Sequence, residues 1–117
     1  MTRERRVAFS RDFTRDVKSL KRTFRRIAED LAIFVERLKH GETPGDLIPG
    51  VGHTVYKTRI RNSDMQRGKS GGYRIIYYLR TADYIILLTI YAKTQKKDVS
   101  TTELRRIIAE VEAEESL

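Results

Sequence analysis

The segment Tyr84–Lys93 (YIILLTIYAK) is apolar at both alternating sets of positions, so as an extended chain it is apolar on both faces. That pattern marks a central strand, flanked by others in a sheet. Upstream, Gly72–Arg80 (GYRIIYYLR) places Tyr73, Ile75, Tyr77 and Leu79 on one face and Arg74, Ile76 and Tyr78 on the other. Val55–Arg61 (VYKTRIR) alternates likewise, with Tyr56, Thr58 and Ile60 opposed to Lys57, Arg59 and Arg61. Asn62–Gly71 and Thr81–Asp83 read as the hairpin connections between these strands.

The elements around this sheet follow from periodicity. Phe13, Val17, Leu20, Phe24, Ile27, Leu31, Phe34 and Leu38 recur at alternating spacings of four and three, which makes one apolar helical stripe. Either one long helix or two helices broken near Lys21–Arg26 satisfies that spacing, and two are preferred because a single helix of that length would overhang so small a domain. Arg5–Phe9 reads as a first short strand, and Glu42–Gly52, with both prolines, as a loop pinned by Leu47, Ile48 and Val51. Ser100 and Glu103 form a capping box that opens a last helix with Leu104, Ile107, Ile108 and Val111 on one side and a frayed acidic end. The expected fold is therefore α+β over a single domain, residues 1–117. It has about four mainly antiparallel strands, two N-terminal helices and one C-terminal helix, with the helices mainly on one sheet face.

Charge narrows the partner. Residues 1–26 hold ten Lys/Arg against three Asp/Glu, and residues 55–97 hold ten against two. Residues 27–54 and 98–117 are acidic by comparison, and the whole chain carries a net charge of +8. A basic domain of this kind points to a polyanion, usually nucleic acid, although Lys and Arg also serve simply for solubility. No cysteine is present, which excludes disulfides and thiolate metal sites. The N-terminus lacks the apolar core of a signal peptide and no stretch is long enough to span a bilayer, so a cytoplasmic protein with no membrane partner is expected.

Lys57, Arg59 and Arg61 stand about 6.5–7 Å apart on one strand face, close to the repeat of phosphates along a single strand. Edge-strand protection would also account for them. Arg74 adds weight, because an arginine among tyrosines and isoleucines is costly unless it faces water or an anion. In an antiparallel pairing it joins Lys57 and Arg59, with Tyr91 and Lys93 from the central strand and Tyr78 as a ring for base stacking. Core packing remains the simpler account of Tyr78 and Tyr91 taken singly.

Such a patch could act without cofactor or metal. The two histidines, His40 and His53, lie in or beside the loop, no carboxylate pair lies on the strands, and no Ser/His/Asp arrangement is apparent. RNA supplies its own nucleophile, the 2′-hydroxyl, and cations can stabilise charge growing on phosphorus. A lysine crowded by other cations, its pKa lowered, would accept the proton. Gly68-Lys69-Ser70 mimics the end of a phosphate-binding P-loop but leads into a strand instead of a helix, so it is not an ATP site.

Taken in order, Gly45–Gly50 (GDLIPG), Val55–Ile60 (VYKTRI), Gly68–Tyr78 (GKSGGYRIIYY) and Leu87–Lys93 (LLTIYAK) resemble the RelE/ParE superfamily of bacterial toxins, and within it the HigB-like branch. The resemblance implies a RelE-like fold and a ribosome-dependent endoribonuclease that cuts messenger RNA in the ribosomal A site. It also implies a cognate antitoxin, often with a helix-turn-helix domain of the HigA-like kind. By position in the motif it makes Lys57, Arg59, Arg74 and Lys93 the catalytic candidates. Arg61, Arg67, Lys69, Tyr78 and Tyr91 are the accompanying candidates for contact with RNA or ribosome. Thr94 and Ser100 stand where the RelE pattern has an arginine and a tyrosine, and the Asn62–Gly71 loop is longer. Two alternatives stand beside it: a ParE-like inhibitor of DNA gyrase, a branch that shares the fold but tends to lack the full cationic set, and an RNA- or ribosome-binding module without catalysis.

Overall fold

The computed structural model describes residues 4–65, 72–95 and 98–115. The elements are β1 (Arg6–Phe9), α1 (Arg11–Lys21), α2 (Ile27–Lys39), β2 (Asp46–Leu47), β3 (Val55–Ile60), β4 (Tyr73–Thr81), β5 (Tyr84–Ala92) and α3 (Thr101–Glu115). The strands form one sheet in the order β1-β5-β4-β3-β2, with β5 and β4 inside, as the doubly apolar segment requires. β1 pairs parallel with β5 and the remaining neighbours are antiparallel, so the sheet is mixed. The extra strand, β2, lies in the segment expected to be loop. Gly45 permits it: its φ is +98°, and a side chain there would run into the Lys57 carbonyl.

The helices break where expected. Phe24, in the break, is buried edge-on against Tyr73, with ring centroids 5.7 Å apart. The start of α2 is held by a residue distant in sequence: Arg26 N–H donates to Asp64 at 2.8 Å. Asp30 on α2 in turn accepts from Ser63 N–H at 3.0 Å and from its hydroxyl. The β3–β4 connection is thereby tied to the helical pair.

Two of the three helices, α1 and α2, lie on one sheet face as expected, and α3 covers the other. Phe13, Leu20, Phe34 and Leu38 of α1 and α2 pack on Ile60, Tyr73, Ile75, Tyr77, Ile85 and Leu87. On the other face Leu104, Ile107, Ile108 and Val111 of α3 pack on Val55, Ile76, Tyr78, Ile86 and Leu88. Each of these buried aliphatic side chains contributes roughly 1.5–3 kcal/mol relative to exposure. The acidic end of α3 is not frayed through Glu115. Glu112 accepts from the Tyr78 hydroxyl at 2.9 Å, and Glu115 binds Tyr84 and Arg80. No helix among the described residues is long and apolar enough to cross a membrane.

One irregularity positions the site. Ile76 pairs with Thr89 but Tyr77 with Leu87, so Leu88 is an extra residue on β5. The bulge reverses the alternation: Ile85, Leu87, Ile90 and Ala92 meet α1 and α2, while Ile86, Leu88 and Tyr91 meet the α3 side. The segment entering α1 satisfies the displaced backbone. Ser10 N–H donates to Leu87 O at 3.0 Å and its hydroxyl to Leu88 O at 2.8 Å. Asp16 accepts from the Thr89 hydroxyl at 2.7 Å and from Ile90 N–H at 3.4 Å.

Candidate active site

Across β3, β4 and β5, Arg59 faces Arg74, and Arg74 faces Tyr91. Directly paired residues share a sheet face, so these three form one row on the α3 side, and Lys57 lies two residues along β3 on that face. The packing of α3 centres on the Tyr78 end of β4, whereas the row lies toward its Tyr73 end. The structure therefore brings together Lys57, Arg59, Arg74 and Tyr91.

Arg74 is less open than expected, with 9% of its surface exposed. Its one hydrogen bond among the described residues is a long one, from Nη1 to the Tyr73 carbonyl at 3.5 Å. Burial and then the neighbouring Arg59 pull its pKa down, and Tyr91 opposes them. An arginine keeps its charge through such a shift. A largely covered guanidinium with a second one opposite it in register is a group that a nearby anion would stabilise.

The β5–α3 connection contributes a group that strand patterns do not show. Asp98 accepts from Lys57 Nζ at 3.2 Å, from the Tyr91 hydroxyl at 3.4 Å and from Val99 N–H at 2.8 Å. The Val99 N–H, followed by Lys57 and Tyr91, outweighs partial burial and holds the Asp98 carboxyl below the usual range. Burial, with the charge and hydrogen bond of Asp98, pushes Tyr91 up to about 12, so its phenol stays protonated. Lys57 thus acts toward Asp98 as the donor in an ion pair. The one available sequence signal for Asp98 was its isolation: it is the sole acid between Asp83 and Glu103.

The other candidates separate. Lys93 lies in the turn after β5, exposed, and its N–H reaches Gly72 O at 3.3 Å. That bond sets its backbone beside the start of β4, but no hydrogen bond joins its ammonium to the cluster among the described residues. Arg61 lies past the end of β3 and, together with Arg59, lines a cleft of about 270 Å³ against Ile33, Phe34 and Arg37 of α2. Tyr78 is corrected as a stacking platform: it is buried beneath α3, its hydroxyl engaged by Glu112 and its ring edge-on to His53 at 5.2 Å. Tyr91, 5% exposed, presents its hydroxyl to the cluster instead of an open ring. Arg67 and Lys69 lie outside the described residues. Among the described residues no group of three or more His, Asp or Glu is placed to hold a metal ion.

A family model described as the RelE toxin of the RelE/RelB toxin–antitoxin system matches residues 6–114, which takes in every strand and nearly all of α3. The chain belongs to the RelE toxin family. It is the toxin of a toxin–antitoxin pair, and a cognate antitoxin is its partner. Within this RelE-family toxin, Ser100 has a structural duty: its hydroxyl accepts from Glu103 N–H at 3.1 Å and opens α3. Glu103 turns its carboxylate to Arg106 at 3.0 Å.

Proposed function

We propose that this toxin is a metal-independent endoribonuclease that cleaves messenger RNA on the ribosome and so stops translation. The observation that carries this is the Arg59–Arg74–Tyr91 row, with Lys57 beside it, on one sheet face. In-line attack of a 2′-hydroxyl, which gives its proton to water, on the adjacent phosphorus expels the 5′-oxygen of the next nucleotide, which takes a proton from water, and leaves a 2′,3′-cyclic phosphate. The extra negative charge on the phosphoryl oxygens falls to Arg59 and Arg74. Lys57 contacts a phosphate of the same strand, and Tyr91, held protonated, donates a hydrogen bond. Lys93 and Arg61 serve as further contacts to the RNA backbone or to ribosomal RNA, and Arg67 and Lys69, outside the described residues, are candidates for the same role.

Three cations and a neutral phenol bind a polyanion but do little to bend it into the in-line geometry. Positioning of that kind is worth several kcal/mol. The ribosome, holding the message in its decoding site, supplies it. Membership of the HigB-like branch and a HigA-like, helix-turn-helix antitoxin belong to the same proposal, supported by the motif segments around Gly68–Tyr78 and Leu87–Lys93.

Cell-free translation is the test. Messages should be cut only while ribosomes translate them and remain intact as naked RNA. Intact messages together with blocked DNA supercoiling would instead establish a gyrase inhibitor. Intact messages on stalled ribosomes would establish a binder without catalysis.

A further inference from the structure

The anion site of this toxin is already occupied by part of the toxin. We infer that Asp98 is a positioning residue whose carboxylate holds the place of an RNA phosphate between Lys57 and Tyr91, and that substrate RNA must displace it. This inference rests on the ribonuclease function proposed above and deepens it.

Three observations carry it. Asp98 touches two of the four clustered side chains, Lys57 at 3.2 Å and Tyr91 at 3.4 Å, through the same oxygen, Oδ1. A carboxylate oxygen accepting from an ammonium and a phenol has the charge and acceptor geometry of a phosphoryl oxygen in that position. Asp98 also belongs to a connection and not to the sheet, so it can leave without disturbing the strands that carry Arg59 and Arg74. Its side chain is 61% exposed and that of Lys57 37%, so the pair is of the weak, salt-screened kind.

The consequence is a threshold. Dilute RNA in solution competes poorly with a carboxylate tethered beside its two donors. A message held on the ribosome is presented at high local concentration and displaces it. Asp98 then swings clear, Lys57 and Tyr91 turn to phosphate, and the released carboxylate repels any RNA held out of register.

The test uses the full-length toxin, its Asp98→Asn variant and a fluorescent single-stranded RNA oligonucleotide, with binding followed by anisotropy. The amide retains an oxygen for the Val99 N–H, so the start of α3 is preserved. Asp98→Asn should bind RNA roughly fivefold tighter at low salt, the gain shrinking as salt rises. The Tyr91 phenol, identified by comparison with Tyr91→Phe, should titrate below its value of about 12 once the neighbouring charge is gone. A purely structural Asp98 gives the opposite result, with unchanged or weaker RNA binding in Asp98→Asn, and that outcome overturns the inference. The underlying function fails differently: an Arg74→Met variant would then bind and cleave RNA as the wild type does, whatever Asp98→Asn shows.

Discussion

Arg59 and Arg74 stand directly opposite one another on β3 and β4, a register in which like charges disfavour each other. Arg74 is also nearly buried and its charge is disfavoured by that burial. Burial and Arg59 both oppose the Arg74 charge, and under the proposed function an RNA phosphate offsets that cost. Arg74→Met, which keeps the aliphatic bulk and drops the charge, should therefore unfold at a temperature at or above that of the wild type while losing toxicity. A gain of about 0.5–1 kcal/mol is expected. Thermal unfolding and growth arrest measured on the same variant check both halves. A destabilised Arg74→Met would contradict the claim of strain.

The bulge at Leu88 places Tyr91 beside Arg74, and Ser10 secures it while also capping α1 through Phe13 N–H at 3.0 Å. Ser10→Ala removes both bonds and should cost about 1–2 kcal/mol by denaturant unfolding. RNA cleavage should fall with it, since Tyr91 loses its support. An unaffected stability would show that the bulge is held by other contacts.

Much of this was legible in the chain. The two apolar faces of Tyr84–Lys93 identified the central strand, the stripe from Phe13 to Leu38 gave the helical pair and its break, and alternation put Lys57, Arg59 and Arg74 on one face. Three features were not legible, each for a physical reason. A strand apolar on both faces conceals a bulge, because shifting its register exchanges one apolar residue for another. The placement of α3 on the opposite face depends on its partners, Tyr78, Arg80 and Tyr84, meeting Glu112 and Glu115 some thirty residues away. Asp98 joins the site only through its contacts with Lys57 and Tyr91, which strand and helix periodicity cannot report.

Two acids on α1 should respond to pH with opposite sign. At Asp12, burial raises the pKa but Arg106 and Arg15 outweigh it, leaving it lowered from 3.8. A lowered folded pKa gives stability present above 3.8 and lost as pH falls through the folded value. At Asp16, burial outweighs the Thr89 and Ile90 hydrogen bonds and the pKa is raised. Its contribution is fully present below 3.8 and is lost as pH rises through the folded value. Asp12→Asn should thus lower stability at neutral pH by about 1 kcal/mol, with the deficit vanishing in acid. Asp16→Asn should be neutral or stabilising at pH 7 and lose that advantage in acid. Unfolding curves across this range test the pair, and matching pH profiles for the two variants would refute the assignment.

Tyr73 is fully buried among Ile75, Phe24 and their neighbours, and its hydroxyl has no hydrogen-bond partner among the described residues. Burial, aided by Asp30 and Asp64, pushes its pKa far above the ordinary value. Tyr73→Phe keeps the ring and removes an unsatisfied polar atom, so a stabilisation of about 1 kcal/mol is expected. Loss of stability in calorimetry would reveal a partner for that hydroxyl.

Most directly at stake is whether the paired arginines act on RNA. The decisive measurement maps the 5′ ends of a defined message on translating ribosomes after addition of wild-type toxin or folded Arg74→Met. Discrete cuts with the wild type, and none above background with Arg74→Met, are the predicted result. Equal cutting by both proteins, or an intact message with the wild type, would contradict it.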